Sequence, residues 1–389
     1  MRLVFDVQGA QATNRFRGIG RYVLELVKAM LRTRGHHEVV FMANGAFEES
    51  VEALRAEIKD LAPANTIRVW MPPQPCRALE NPSSDRVVAA KLAYETFANS
   101  LKPDVFLIGS VFDGFVDDAA ISIGRLPRRC HVAAVLFDLI PLIHANVYLD
   151  GNERFRTWYT NQLSELRKAD ALLAISKSSA QEAVEYLNWP AHRVHPIMGA
   201  CSSQFRRIGL GDSQCSELLA RFGINRPFLM YTGGIDYRKN IEGLISAYAR
   251  LPLHIRQSHQ LAIVCHADAA SVTRLQNEVR LAGLHQEEVI FTGFVSDEEL
   301  VKLYNACKVF IFPSWHEGFG LPALEAMACG RAVLASNTTS LPEIVGRADA
   351  LFDPYDPADM ARVITRALTD DAFRAELEAH ALKQSAQFS

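Results

Sequence analysis

Short apolar runs alternate with longer amphipathic segments along most of the chain, the pattern produced by βα units around a parallel sheet. Strands covered on both faces read as nearly continuous apolar runs. In the first half such runs fall at Leu3–Val7, Glu38–Met42, Thr66–Trp70, Val105–Ile108, His131–Phe137, Ala171–Ile175 and Val194–Ile197. Between the first two, Ile19, Val23, Leu26, Val27, Met30 and Leu31 recur at spacings of three and four, which predicts a helix with one apolar face. The alternation pauses in the polar stretch Ala200–Ser216 and resumes with Phe228–Tyr231, Leu261–Val264, Val289–Phe291, Val309–Phe312, Ala332–Ala335 and Ala350–Phe352. A single sheet of about thirteen strands would exceed the usual size of open sheets. The pattern therefore predicts an α/β chain of two Rossmann-like doubly wound domains, 1–200 and 217–389, joined by a linker at 201–216 and facing a cleft. Ligands of such sheets bind outside the carboxyl ends of the strands, so the strand-to-helix loops are where chemistry is expected.

Composition narrows the partners. The 389 residues are 49% hydrophobic and 22% charged, enough apolar material for two cores. Lys and Arg total 41 against 44 Asp and Glu, a net charge of −3 that offers no field for a nucleic-acid backbone. The 7 cysteines form no CxxC pair and are odd in number, which reads as free thiols in a reducing, cytoplasmic compartment. The amino terminus MRLVFDVQGAQ lacks the apolar core of a signal peptide. The longest apolar stretch, His131–Leu142, is interrupted by Asp138 and Pro141, so any membrane role is expected to be peripheral, at the inner face of the cytoplasmic membrane. None of the 12 histidines falls in a metal-ligand spacing, and no metal or cofactor is expected. His36 and His37 read as a solvated turn. His131 and His144 flank the expected cleft, with a satisfied or exposed ring as the simpler reading of each and His144 as an acceptor-side candidate.

Four loops can carry chemistry. The first, QGAQATNRFRGIGR (Gln8–Arg21), opens a helix at Gly18 and Gly20, where free N–H groups and the helix dipole suit an anion, with Arg15, Arg17 and Arg21 adding charge. A dinucleotide fingerprint fits poorly: Val23 stands at its third glycine, and Ala43 and Asn44 stand where a ribose-binding acid belongs. A plain glycine-rich turn remains the structural alternative. In the second loop, Tyr231–Asn240, Gly233 and Gly234 allow close backbone approach. Arg238 and Lys239 are expected to open the next helix, where cations oppose the dipole unless they serve a pyrophosphate. In the third, Gly293–Glu299, Ser296 and Glu299 form a capping box, and Phe294 and Val295 lie where a nucleobase could be met. The fourth, Pro313–Ala328, runs from a buried strand through Gly318 and Gly320 into a helix with Pro322 near its start. It carries Glu317 in the loop and Glu325, eight residues on, expected in the helix's first turn. Two carboxylates beside apolar packing suit acceptance of hydrogen bonds from sugar and ribose hydroxyls. The structural alternative is a dipole-compensating Glu325 and a surface Glu317.

EGFGLPALE (Glu317–Glu325), an E-x7-E motif, together with the RKN of Arg238–Asn240, resembles the retaining GT-B glycosyltransferases of family 4, over nearly the whole chain. FDVQGAQATNRFRGIGRY near the amino terminus and LFDLIPLIHANVYL at 136–149 are similar to bacterial polymannose O-antigen mannosyltransferases. The resemblance implies a nucleotide-sugar donor, with GDP-mannose favoured, and a glycan or lipid-linked glycan acceptor. It implies Gly18 and Gly20 near the donor phosphates and acceptor, Lys239 on the pyrophosphate, and Glu317 beside the transferred sugar. The backbone of Gly318, Phe319, Gly320 and Leu321 would contact the donor, and Glu325 the ribose. Two departures stand out. Many relatives carry arginine where Gly234 stands, so Arg238 is expected to supply the guanidinium. Many also have a histidine before the aspartate where this chain has Phe137-Asp138, leaving Asp138 as a catalytic candidate without it.

The implied reaction is transfer of an α-linked hexose, mannose above others, with retention at the anomeric carbon and front-face attack aided by the donor's phosphate oxygen. A GT-B-like nucleotide-sugar epimerase and a catalytically silent nucleotide-sugar-binding subunit of a polysaccharide assembly complex remain as alternatives. The last helix of this fold usually crosses back to the first domain. Here the sequence ends at Gln387-Phe388-Ser389, just after the amphipathic stretch Ala372–Leu382, so the second domain is expected to lack that crossing helix, either as one module of a longer polypeptide with further domains or as a chain truncated before it.

Overall fold

The computed structural model describes every residue but Asn14, Phe16, Arg17, Pro82, Ser83, Leu210 and Ser389, with backbone alone for 212–214. Each apolar run becomes a strand. The first seven are β1 (Arg2–Asp6), β2 (Glu38–Asn44), β3 (Ile67–Trp70), β4 (Val105–Ile108), β5 (His131–Leu136), β6 (Ala171–Ala174) and β7 (Val194–Pro196). The second series is β8 (Phe228–Thr232), β9 (Gln260–Val264), β10 (Val289–Phe291), β11 (Val309–Phe312), β12 (Ala332–Ser336) and β13 (Leu351–Phe352). The chain divides into two compact units, Met1–Met198 and Gly199–Ser389. The stretch 201–216, a linker by its composition, packs on the second unit. Phe205 is buried against Tyr304, the Asn305 side chain bonds the backbone of Arg206 and Ile208, and a helix already begins at Asp212.

The first unit holds a seven-stranded parallel sheet in the order β3-β2-β1-β4-β5-β6-β7. Strand order reverses between β1 and β4, because β1 to β3 step one way and β4 to β7 the other. Right-handed crossovers then place the helices Gly18–Thr33 and Glu48–Ile58 on one face. The helices Asp85–Ser100, Glu153–Leu166 and Lys177–Leu187 lie on the opposite face. That second face carries most of the aromatic core: Trp70 packs edge-on to Tyr94, and Tyr159 stacks on Phe112.

Asp6 ends β1 at the reversal and is fully buried. Its carboxylate accepts from the Gln8 side chain at 3.2 Å and from the Tyr94 hydroxyl at 3.1 Å. Burial pushes its pKa up to about 8 against those donors, with Asp113 adding to the rise.

The second unit holds a six-stranded parallel sheet, β10-β9-β8-β11-β12-β13, which reverses between β8 and β11. Its central strands are buried throughout, with Phe310 and Phe312 stacked along β11. The helix Asp371–Ser385 packs on β12 and on the helix Leu321–Ala328. Its His380 and Gln384 side chains bond the carbonyls of Val345, Glu343 and Ile344, which ties down the short helix Leu341–Val345.

Among the described residues no helix is long and apolar enough to cross a membrane. None of the cysteines is joined in a disulfide among the described residues; Cys76, Cys265, Cys307 and Cys329 are buried, and the other three are half-buried.

Gly20 has a local reason to be glycine. A Cβ there would sit 2.3 Å from the backbone oxygen of Arg15, so the loop after β1 folds back onto the first turn of its helix. Gly20→Ala is expected to destabilise the first unit by about 1–3 kcal/mol through overpacking, read as a lower denaturation midpoint. An unchanged midpoint would show that the loop does not hold this close approach in solution.

Candidate active site

In the second unit the loops after β8 and β11 flank the point where strand order reverses, the position at which open α/β sheets bind ligands. The loop after β8 runs through Gly233, whose φ of +149° places it where only glycine is comfortable, and its bend is fixed by the Tyr231 hydroxyl donating to the Gly234 carbonyl at 2.6 Å. Space around Gly234 is open: a Cβ there would touch nothing within 4 Å.

Arg238 and Lys239 were expected in the first turn of a helix. They lie instead in a separate 3-10 turn, Tyr237–Lys239, capped by Asp236. Asn240 then takes a left-handed conformation (φ 54°) before the helix Ile241–Ala249 begins. The two cations are thus at the end of one turn rather than at the start of a helix, and the dipole conflict anticipated for them does not arise.

Both cations converge on Glu317. Arg238 Nη1 donates to Glu317 Oε2 at 2.9 Å and to the His316 carbonyl at 2.9 Å; Lys239 Nζ donates to Glu317 Oε1 at 2.5 Å. Glu317 and Lys239 are 6% and 8% exposed, so this is a buried ion triad and not a surface contact. The Lys239 ammonium also lies 5.2 Å from the centre of the Phe312 ring. Burial works against the Glu317 carboxylate, but Arg238 and Lys239 overcome it and hold its pKa down at about 2. Lys239 shifts downward: burial outweighs the pull of Glu317, and Arg238 adds repulsion. The asymmetry has a simple cause: Glu317 meets two opposite charges, whereas Lys239 sits beside Arg238 and gains only a minor pull from Asp236 besides that of Glu317.

The backbone around Glu317 is held by residues that sequence reasoning missed. Thr339 Oγ1 accepts from Glu317 N at 3.1 Å, and the buried Ser340 hydroxyl lies 2.9 Å from the Glu317 carbonyl and 2.7 Å from that of Phe319. Gly320 then turns the chain into the helix Leu321–Ala328 at φ +112°, with Leu341 2.7 Å from where a Cβ would be. Pro322 sits at the helix start, as its position suggests. Phe319 sends its side chain into the core against Gly199 and Phe388, so only its backbone can face a ligand.

Glu325 is the fifth residue of that helix, not in its first turn, because the helix starts already at Leu321, before Pro322. It is buried, and its Oε2 accepts from the hydroxyl of the fully buried Tyr304 at 2.9 Å. Burial, with this carboxylate nearby, pushes the Cys201 thiol up to about 11 and Cys329 to about 12. The only hint of Tyr304 in the sequence is its place on the buried stripe of the preceding helix.

The remaining candidates are dispersed. Ser296 and Glu299 do form the capping box of the helix Asp297–Ala306, Val295 is half-buried, and Phe294 is 74% exposed, edge-on to His266. In the first unit, Gly18 starts the helix after β1 and is exposed, and Arg15 pairs with Glu49 at 3.8 Å. Asp138 is half-buried and caps the turn at Ile140 (3.1 Å), and His144 is half-buried between two short helices. Arg17 lies outside the described residues. Among the described residues no group of three or more His, Cys, Asp or Glu side chains is placed to hold a metal ion.

Two doubly wound units, the second carrying an E-x7-E loop and helix at its switch point, define the GT-B class of glycosyltransferases. Residues 16–198 match the family described as Glycosyltransferase Family 4, and residues 220–384 match Glycosyl transferases group 1. The chain is 38% identical over 392 residues to the serotype-specific mannosyltransferase WbdA of Escherichia coli, covering 100% of this chain and 46% of that protein. It is 34% identical over 265 residues to the O-antigen chain mannosyltransferase B of Escherichia coli, 68% of each. It thus spans about half the length of the WbdA proteins it matches. Among solved structures, HepE of Anabaena in complex with UDP and glucose aligns with a TM-score of 0.68 at 18% identity, covering 100% of this chain and 95% of that one. Sucrose-phosphate synthase of Thermosynechococcus elongatus aligns with a TM-score of 0.69 at 19% identity, covering 100% and 94%. The chain belongs to family 4 of the GT-B glycosyltransferases.

The depressed Glu317 pKa has a stability consequence of defined sign. A carboxyl that ionises at about 2 when folded and at 4.5 ordinarily contributes stability that is fully present above 4.5 and is lost as pH falls towards 2. Glu317→Gln is expected to cost about 3 kcal/mol at pH 7, because it leaves the buried Lys239 without its partner and the half-buried Arg238 with Asp236 at 3.6 Å. The gap from the native protein, measured by urea denaturation, should narrow between pH 4.5 and 2. A gap constant across that window would mean the triad is not formed in solution.

Proposed function

We propose that this chain transfers an α-linked hexose, mannose from GDP-mannose, to a hydroxyl of a growing glycan such as a lipopolysaccharide O-antigen, with retention of configuration. The observation that carries the reading is the buried Glu317 gripped by Arg238 and Lys239 at the switch point of the second sheet. The likeness of the whole chain to about half of a serotype-specific mannosyltransferase supports the choice of sugar.

In this reading the donor's diphosphate becomes the partner of the two cations. The bond from the anomeric carbon to the β-phosphate oxygen breaks, its electron pair stays on that oxygen, and Arg238 and Lys239 stabilise the charge as it grows. The acceptor oxygen bonds to the same face of the sugar, and its proton passes to the departing phosphate, giving the glycoside and a nucleoside diphosphate. Gly318 and Gly320 leave backbone groups open to the sugar, and Glu325 is assigned to the ribose. Asp138 is carried as a catalytic candidate, Gly18 and Gly20 as donor-binding candidates, and Arg15, Arg17 and His144 as acceptor-side candidates. No cofactor is assigned. The chain is placed in the cytoplasm, at most peripheral to the inner membrane face.

The test is purified protein with radiolabelled GDP-mannose and a synthetic or lipid-linked mannoside. Labelled glycan with an α-linkage is expected; GDP release without labelled glycan across several acceptors would sink the transferase reading. In calorimetry Lys239→Ala should weaken GDP binding by about tenfold or more, since it removes a charge-assisted contact. Glu325→Ala should also weaken it. Glu317→Ala should leave GDP affinity unchanged or higher, because it releases both cations, while depressing turnover. A thermal shift with UDP but not GDP would overturn the choice of donor.

A further inference from the structure

On the first unit, the helices Asp85–Ser100 and Glu153–Leu166 border a groove of about 330 Å³, at the small end of the range for small-molecule sites. Three cations from separate segments meet in it: Lys91, Arg125 and Lys168. They share one carboxylate. Glu165, with a side chain 5% exposed, lies 2.9 Å from Lys168 Nζ and 3.6 Å from both Lys91 Nζ and Arg125 Nη2. Its Oε2 also accepts from the backbone of Ile123 at 3.0 Å. Lys91 also donates to the Gln162 amide oxygen at 3.2 Å, while the Arg125 guanidinium reaches Glu165 only at 3.6 Å.

Three cations thus line the groove against one lining anion, and a second buried carboxylate, Glu95, accepts from the Arg125 backbone at 3.0 Å, which leaves an excess of one positive charge. The Lys91 ammonium bears the consequence: burial lowers its pKa, Glu165 offsets this in part, and Arg125 and Lys168 push it further down. A second anion in the groove would relieve that repulsion. The rest of the lining is of a different kind. Val87 and Val88 supply an apolar wall, and Asn161 and Ser164 supply hydrogen-bonding groups, more than a bare ion can use.

We propose that this groove is a second ligand site, distinct from the Glu317 region, that takes a phosphorylated sugar: phosphate on Arg125, Lys168 and Lys91, sugar ring against Val87 and Val88, hydroxyls on Asn161 and Ser164. The phosphate could equally be presented by a lipid headgroup, and the experiment separates the two sources. Mannose 6-phosphate, inorganic phosphate and phosphatidylglycerol vesicles are titrated against the native chain, Arg125→Ala/Lys168→Ala and Ser164→Trp. The last variant fills the groove without touching its charges.

Mannose 6-phosphate is expected to bind saturably, about tenfold tighter than inorganic phosphate, and to lose at least about tenfold in both variants. Vesicle binding should be the same in all three proteins. If the charge variant proves unfolded by circular dichroism, Ser164→Trp alone decides. The proposal is overturned if mannose 6-phosphate does not bind, if its binding is unchanged in the folded variants, or if only the vesicles bind and the charge variant abolishes it. Because no donor or acceptor is needed, the outcome is independent of whether the chain proves to be a mannosyltransferase.

Discussion

The second unit is organised around a carboxylate that two cations hold out of water. Glu317 could not stay ionised in its buried position alone, and Arg238 and Lys239 could not lie side by side there without it. The triad therefore requires that the loops after β8 and β11 approach each other, and the sheet order brings those strands together at its reversal. Electrostatics and topology specify the same point. The surroundings follow from that requirement: Trp315 N donates to the Arg238 carbonyl at 2.8 Å, and Arg238 returns a bond to the His316 carbonyl.

Around the triad, strength comes from side chains with no catalytic chemistry of their own. One serine hydroxyl faces two carbonyls of the E-x7-E loop, and the helix carrying that serine's neighbours is held in turn by His380 and Gln384 of the last helix. Tyr304 fixes the second glutamate from the opposite side. These are second-layer contacts that keep ligand-facing groups in one geometry, which matters because misplacement by about an ångström can erase most of a catalytic advantage.

Much of this was legible in the chain. All the strands could be read because parallel strands buried on both faces leave unbroken apolar runs, whereas helix starts depend on single dihedral choices. Asn240 shows the limit: a left-handed residue between a 3-10 turn and a helix moves Arg238 and Lys239 out of the helix that their spacing suggests. The first-turn placement of Glu325 fails for the same kind of reason, since nothing in EGFGLPALE marks Gly320 rather than a later residue as the cap. The E-x7-E glutamates themselves were found because their spacing lies within one local segment. Ser340, Tyr304 and two of the groove cations, Lys91 and Arg125, were not, because each meets its partners across 20 to 80 positions, a separation on which no local pattern reports.

The Asn240 side chain does something else. Its single amide nitrogen lies 3.0 Å from the carbonyl of Pro313 and 2.9 Å from that of Pro354, so one residue after β8 ties together the segments that follow β11 and β13. Three loops that could wander separately are crosslinked without a covalent bond. The conformational entropy of ordering them is lost once, when the chain folds, and not again at each encounter with a ligand. Binding at this end of the sheet should then proceed with little rearrangement of the loops, leaving the interaction energy of a ligand to be expressed in affinity or in chemistry.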